Sequence, residues 1–158
     1  MKYTYWVFIH LAGVLGLLAT HGVSIFALYR IRAVVPDRNK ITELIAFSGA
    51  TVTPMYISLA VVIMGGVGAA LKVSYLSAAW LQVAIAILVL TLVGMYALAR
   101  PYFRKITASC GIRPSGVPRV SDEELTELIR GPRAHVITAV GTAGLVAIVF
   151  LMVIKPRV

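Results

Sequence analysis

The sequence predicts an all-α integral membrane protein, a four-helix bundle with two short cytoplasmic amphipathic helices. Of its 158 residues, 59% are hydrophobic and 13% are charged, whereas soluble domains have roughly 45–50% and about 25%. A membrane-spanning helix needs about 20 predominantly apolar residues. Four stretches of that length hold no Asp, Glu, Lys or Arg, namely residues 5–28, 52–71, 78–99 and 134–154. We therefore predict a single four-span membrane domain over residues 1–158.

The distribution of basic residues predicts the orientation of the chain. Eleven of the 15 Lys and Arg residues lie in the connections between spans one and two and between spans three and four. Because positive loops stay in the cytoplasm, we predict a multi-pass membrane protein with both termini outside. This arrangement accounts for the net charge of +9 through contact with anionic headgroups, so no nucleic-acid partner is expected.

The two long connections each carry a helical pattern. Residues 121–124, Ser-Asp-Glu-Glu, form a capping box at the start of a helix. Leu125, Leu128 and Ile129 then repeat at helical spacing, and Ile41, Leu44 and Ile45 do the same in the first connection. Each connection is therefore predicted to form a short amphipathic helix. The matching segments 41–45 and 125–129 suggest a duplicated unit of helix, short helix and helix.

Small residues in the spans predict where helices approach each other closely. In lipid, Gly and Ala at four-residue spacing let helix backbones come together. Such spacing occurs at Ala12, Gly16 and Thr20, at Gly65 and Ala69, at Gly66 and Ala70, and at Ala139, Ala143 and Ala147.

Two histidines inside the first span are the strongest functional signal. An ionisable group within a span is a functional candidate by default. His10 and His21 are eleven residues apart, which is about three turns plus 20°, so both project from one face roughly 16 Å apart. Met64 lies near the depth of His10, and His135 begins the fourth span. Imidazole and thioether are ligands of haem iron and of Cu(I).

These residues form the predicted site. The predicted cofactor ligands are His10, His21, His135 and Met64, and the predicted metal ligands are His10 and His21. The alternative for a histidine near a span end, His135 in particular, is a structural hydrogen bond to a backbone carbonyl. No span holds a carboxylate, which argues against a pump built on buried Asp or Glu. Any catalysis would belong to a cofactor, in a haem-dependent membrane oxidoreductase.

Two segments carry a family resemblance: residues 5–13, Tyr-Trp-Val-Phe-Ile-His-Leu-Ala-Gly, and residues 149–156, Val-Phe-Leu-Met-Val-Ile-Lys-Pro. The chain resembles a family of small four-span bacterial membrane proteins. That family in turn resembles the membrane domain of copper-resistance D proteins and the HemJ-type protoporphyrinogen oxidases. The resemblance implies haem binding at the early histidine, His10, or copper handling by His10 with Met64.

Three functions are consistent with this sequence. The first is a membrane protein that binds haem b for electron transfer or haem-linked oxidation, with a quinone or another redox partner in the bilayer. The second is a copper-handling membrane protein. The third is a non-catalytic accessory subunit, in a homo-oligomer or a larger membrane complex.

Overall fold

The computed structural model describes residues 2–156 and is built from helices, with no strand in that range. The six α-helices are α1 (Tyr3–Val34), α2 (Arg38–Ala50), α3 (Val52–Lys72), α4 (Ala79–Cys110), α5 (Asp122–Arg130) and α6 (Arg133–Ile154), with a 3₁₀ turn at Tyr75–Ser77 between α3 and α4. Each of the four predicted spans lies in one long helix that is apolar enough to cross a membrane. The prediction of four candidate spanning helices is therefore confirmed.

Two of the spanning helices are much longer than predicted. Both α1 and α4 have 32 residues, or about 48 Å, against a hydrocarbon core of about 30 Å. The prediction ended each span at the first arginine, but arginine is a good helix former. Buried apolar residues also continue along one side, at Ile31 in α1 and at Tyr102 and Ile106 in α4. The helices therefore extend well beyond the apolar stretches.

The extended ends of α1 and α4 pack with α2, α5 and the start of α6 into a compact region that we call the cap. Most of the fully buried side chains of the described chain lie there. The core of the cap consists of Leu28, Ile31, Ile41, Tyr102, Ile106, Cys110, Leu125, Ile129, Ala134 and Ile137. The cap thus has the buried core of a small soluble domain.

Two arginines tie the cap together through backbone carbonyls. The guanidinium of Arg32, near the end of α1, donates at 2.8 Å to the carbonyls of the three residues 129–131 at the end of α5. The guanidinium of Arg38 donates to the carbonyls of Ser109 and Val120, each at 2.8 Å, and forms an ion pair with Asp122 at 2.7 Å. Four of these bonds, to residues 109 and 129–131, satisfy carbonyls at the C-terminal ends of α4 and α5. Arg32 and Arg38 therefore bind protein groups rather than the lipid headgroups we expected.

Side-chain hydrogen bonds stabilise the N-termini of both short helices, α2 and α5. Ser121 and Glu124 exchange the two hydrogen bonds of the predicted capping box, at 3.1 and 3.2 Å. The Asp37 carboxylate accepts from the backbone N–H of Lys40 at 3.1 Å. This bond and the Lys40 ammonium hold the pKa of Asp37 below its usual value.

The spanning segments form two pairs, with α1 packed along α3 and α4 along α6, whereas α1 and α6 touch at few places. Glycines allow the close approach within the α1–α3 pair. A Cβ built at Gly13 would lie 2.6 Å from the backbone nitrogen of Val62, and one at Gly65 would lie 2.7 Å from the Cα of His10. In α6, by contrast, the predicted contact residues Ala139 and Ala143 are exposed.

Candidate functional site

His21 lies where α1 meets the other helix pair. A Cβ built at Gly141 of α6 would lie 2.6 Å from Cε1 and 3.0 Å from Nε2 of the His21 ring. The imidazole therefore occupies the space that any larger residue at position 141 would need. This contact brings a titratable side chain of α1 directly onto the backbone of α6.

A thioether lies at the same point. The Sδ atom of Met95, on α4, would lie 3.2 Å from that Cβ of Gly141. The Nε2 atom of His21 and the Sδ atom of Met95 are therefore at most about 6 Å apart. Met95 also packs against the core of the cap, so the site lies directly beside the cap.

Two buried polar atoms of residues 2–156, one on α1 and one on α6, have no partner. The Nε2 atom of His21 and the Oγ1 atom of Thr138 are buried, and within residues 2–156 neither makes a hydrogen bond. Thr138 lies one turn before Gly141 in α6. A buried polar atom left unpaired costs about 1–3 kcal/mol, so each such atom needs an explanation. We call His21, Met95, Thr138 and Gly141 the seam.

His10 is in a different environment, between α1 and α3. Its Nδ1 atom is 2.8 Å from the carbonyl oxygen of Val62. Because a carbonyl only accepts, Nδ1 carries the proton, and in the neutral ring Nε2 keeps its lone pair. A Cβ built at Gly66 would lie 3.0 Å from Nδ1, so the ring lies close over the glycines of α3. Such a bond holds a structural histidine, and it also orients a histidine that ligates a metal.

The other two predicted ligands lie apart from the seam. His135 is exposed, and its Nδ1 atom is 2.9 Å from the hydroxyl of Tyr29. Tyr29 is eight residues beyond His21, about 12 Å along α1. Met64 is 54% exposed on α3, rather than buried beside His10. The ligand roles of His135 and Met64 stay predictions.

The structure thus brings His21 together with Met95, and it separates His10 from His21. The two histidines contact different helices, although they lie on nearly the same face of α1. In the described chain no group of three or more His, Cys, Asp or Glu side chains could hold a metal ion, and the Met95 thioether is a further candidate donor at the seam. The predicted ligand set left out Met95, and sequence reasoning gave no site role to Thr138 or Gly141. No local signal separates Met95 from the other four methionines.

Comparisons with known proteins add nothing to the family resemblance, because no family model, no curated protein and no solved structure matches the chain. The resemblance stays a prediction from the two segments that carry it.

Proposed function

We propose that the protein is a membrane-embedded haem b protein for electron transfer or haem-linked oxidation, with His21 as an axial ligand. The observation that carries this proposal is the Nε2 atom of His21, which is buried between helices without a hydrogen-bond partner. In the neutral tautomer with the proton on Nδ1, Nε2 has a lone pair that can coordinate iron. A buried ring nitrogen with neither a hydrogen-bond partner nor a ligand would only lower the stability of the folded protein.

The residues of the seam suit this group. Histidine and methionine are a known axial pair for haem iron, and the Met95 thioether lies beside His21 at the seam. A porphyrin between them requires α1 to move away from α4 and α6. α1 and α6 touch at few places, whereas Leu28 and Ile31 of α1 are buried in the cap core, so the opening has to leave the cap packed. A bound haem supplies a one-electron redox centre.

His10 is the candidate axial ligand of a second haem. The carbonyl of Val62 holds its Nδ1–H and leaves Nε2 free. His10 is only partly buried, so a haem there would lie towards the lipid or a second subunit. A quinone or another membrane redox partner would exchange electrons with either centre.

Optical spectroscopy tests the proposal. The protein is purified in mild detergent, and a dithionite-reduced minus oxidised spectrum is recorded. We expect Soret and α bands that disappear in His21→Ala, or fall by about half if His10 holds a second haem, and that weaken or shift in Met95→Leu. Met64→Leu is the matched control, because it removes an exposed thioether and should leave the bands unchanged. No haem bands in the wild type, or bands unaffected by His21→Ala, would contradict the assignment.

Copper handling is the second candidate, and the short distance between His21 and Met95 favours it. Cu(I) prefers soft ligands such as thioethers and also accepts imidazole, and a single ion fits between donors at most about 6 Å apart with less helix movement than a porphyrin. Metal analysis distinguishes the two. One equivalent of copper without a porphyrin spectrum, lost in Met95→Leu, would favour copper. If the purified protein contains neither haem nor copper and a second protein co-purifies in stoichiometric amount, the result would favour an accessory subunit.

The proposed location is the bacterial inner membrane, with the two helix pairs forming one bundle and the cap in the cytoplasm. The support is the excess of basic residues in the connections that form the cap. Fusion of alkaline phosphatase, which is active only outside the cytoplasm, to the C-terminus should give an active enzyme, whereas fusion after residue 115 should not. The reverse pattern would place the cap outside.

A further inference from the structure

Two arginines on the outer face of α4 are used neither by the cap core nor by the seam. Arg100 and Arg104 are one helical turn apart, and both are exposed. On the opposite side of α4, Tyr102, Ile106 and Ser109 are buried. At about 100° per residue, Arg100 and Arg104 lie roughly 160° and 200° around the helix from Tyr102. Both guanidinium groups therefore project away from the protein.

The depth of this pair follows from the other end of α4. Trp80 packs edge to face on Tyr75 there, with ring centroids 5.7 Å apart, and such aromatic residues are typical of the membrane interface. Twenty residues separate Trp80 from Arg100, which is about 30 Å along a helix and equals the thickness of the hydrocarbon core. With Trp80 at one interface, Arg100 lies at the headgroup level of the other.

No acidic side chain within residues 2–156 pairs with Arg100 or Arg104. The ion pairs in residues 2–156 join Arg38 to Asp122 and Lys40 to Asp37, and neither includes Arg100 or Arg104. Like charges one turn apart on a helix repel each other. An anion between the two guanidinium groups would turn that repulsion into attraction, since each guanidinium offers a fork of N–H donors that fits a phosphate.

Tyr96 completes the surface, one turn nearer the membrane. The Arg100 guanidinium lies over the Tyr96 ring, 5.0 Å from its centroid, and bonds the Tyr96 hydroxyl. These contacts hold the side chain of Arg100 back along the helix, towards the lipid. The ring is 59% exposed, so its apolar face is available to the upper part of an acyl chain.

We propose that Tyr96, Arg100 and Arg104 bind the headgroup phosphate of an anionic phospholipid in the leaflet next to the cap. The two arginines bind the phosphate, and Tyr96 positions Arg100 and packs against the lipid. This site is independent of the haem proposal, because it uses no residue of the seam. It selects lipids by net headgroup charge, so a zwitterionic lipid competes poorly.

Native mass spectrometry of the full-length protein in detergent tests this site. The protein is titrated with phosphatidylglycerol and, separately, with phosphatidylcholine. We expect phosphatidylglycerol to bind more tightly, and Arg100→Gln/Arg104→Gln to weaken it by about 5-fold per arginine removed, with no change for phosphatidylcholine. In 0.5 M salt the preference of the wild type should shrink, because salt screens exposed charges.

Two further variants and one soluble probe keep the result interpretable. Arg113→Gln/Arg119→Gln removes the same charge from the exposed loop before α5 and should keep the preference for phosphatidylglycerol. An equal loss of preference in this variant would show that the overall positive charge binds the lipid, and it would overturn the proposal of a defined site. Arg100→Lys/Arg104→Lys keeps the charge and should retain part of the preference even if the glutamine variant fails to fold. If glycerol phosphate displaces the lipid at equal concentration, the ligand is a free phosphate and the lipid assignment fails. A wild type without preference overturns the proposal.

Discussion

The cap and the membrane-embedded seam use polar groups in opposite ways. In the cap, Arg32 and Arg38 together donate to five backbone carbonyls, and Arg38 also pairs with Asp122. At the seam, by contrast, the Nε2 atom of His21 and the hydroxyl of Thr138 are buried without partners. The difference teaches that this chain satisfies buried polar groups where stability is needed. Under the proposed function, the unpaired atoms at the seam mark the place where the cofactor binds.

The largest expected effect is at the cap. Arg38→Ala removes an ion pair and two carbonyl bonds from a side chain that is only 15% exposed, and it should cost about 3 kcal/mol. The free energy of unfolding is measured by titration with sodium dodecyl sulfate in mixed micelles. Arg119→Ala, in an exposed loop, is the control and should change it by less than about 0.5 kcal/mol. Equal effects of the two variants would mean that the carbonyl bonds do not hold the cap.

A smaller loss is expected where α1 and α3 touch. The Cβ of Gly65→Ala would contact the backbone of His10, so the pair must separate, at a cost of about 2 kcal/mol. Gly22→Ala is a matched control on α1, because a Cβ there meets nothing within 4 Å. The same unfolding titration should show a loss for the first variant alone. Tolerance of Gly65→Ala would show that the two helices are not held at this spacing.

The side-chain hydrogen bond of Ser121 at the start of α5 should contribute still less to the stability of the protein. Ser121→Ala removes the side-chain acceptor of the Glu124 N–H and should cost about 1 kcal/mol. Ser121→Asp retains an acceptor at the helix start and is the control. Thermal unfolding monitored by circular dichroism should give a lower Tm for the alanine variant only. An unchanged Tm would indicate that contacts with the cap core alone hold α5.

The smallest effect is expected at the seam, and it has the opposite sign. Thr138→Val replaces a buried hydroxyl that has no partner with a methyl group of similar size, and it should stabilise the cofactor-free protein by up to about 1 kcal/mol. The midpoint of the unfolding titration measures this change. A loss of 1 kcal/mol or more would show that the hydroxyl has a partner after all, and the contrast between seam and cap would weaken.

Local patterns in the sequence predict part of this architecture. The charge-free runs 52–71 and 134–154 match α3 (Val52–Lys72) and α6 (Arg133–Ile154) to within one residue at each end. The capping box at Ser121 is local in the chain and was also correct. Each of these features depends only on neighbouring residues.

Tertiary contacts account for what the sequence does not reveal. Arg32 bonds a carbonyl 97 residues away in the chain, so no local pattern distinguishes it from the arginines that face outwards. Met95 lies at the seam and Met64 is exposed because of how α4 and α3 are rotated about their axes. A run of hydrophobic residues does not define that rotation. His10 and His21 share a face of α1 as predicted by spacing, but the crossing of the helices gives them different neighbours.

Titration of haemin into the purified wild-type protein tests the central claim most directly. We predict that the Soret band saturates at one haemin for each protein molecule whose seam holds no haem. His21→Ala should abolish this binding, and His135→Ala should retain it. Equal haemin binding by wild type and His21→Ala would contradict the claim that the unpaired nitrogen of His21 is a ligand.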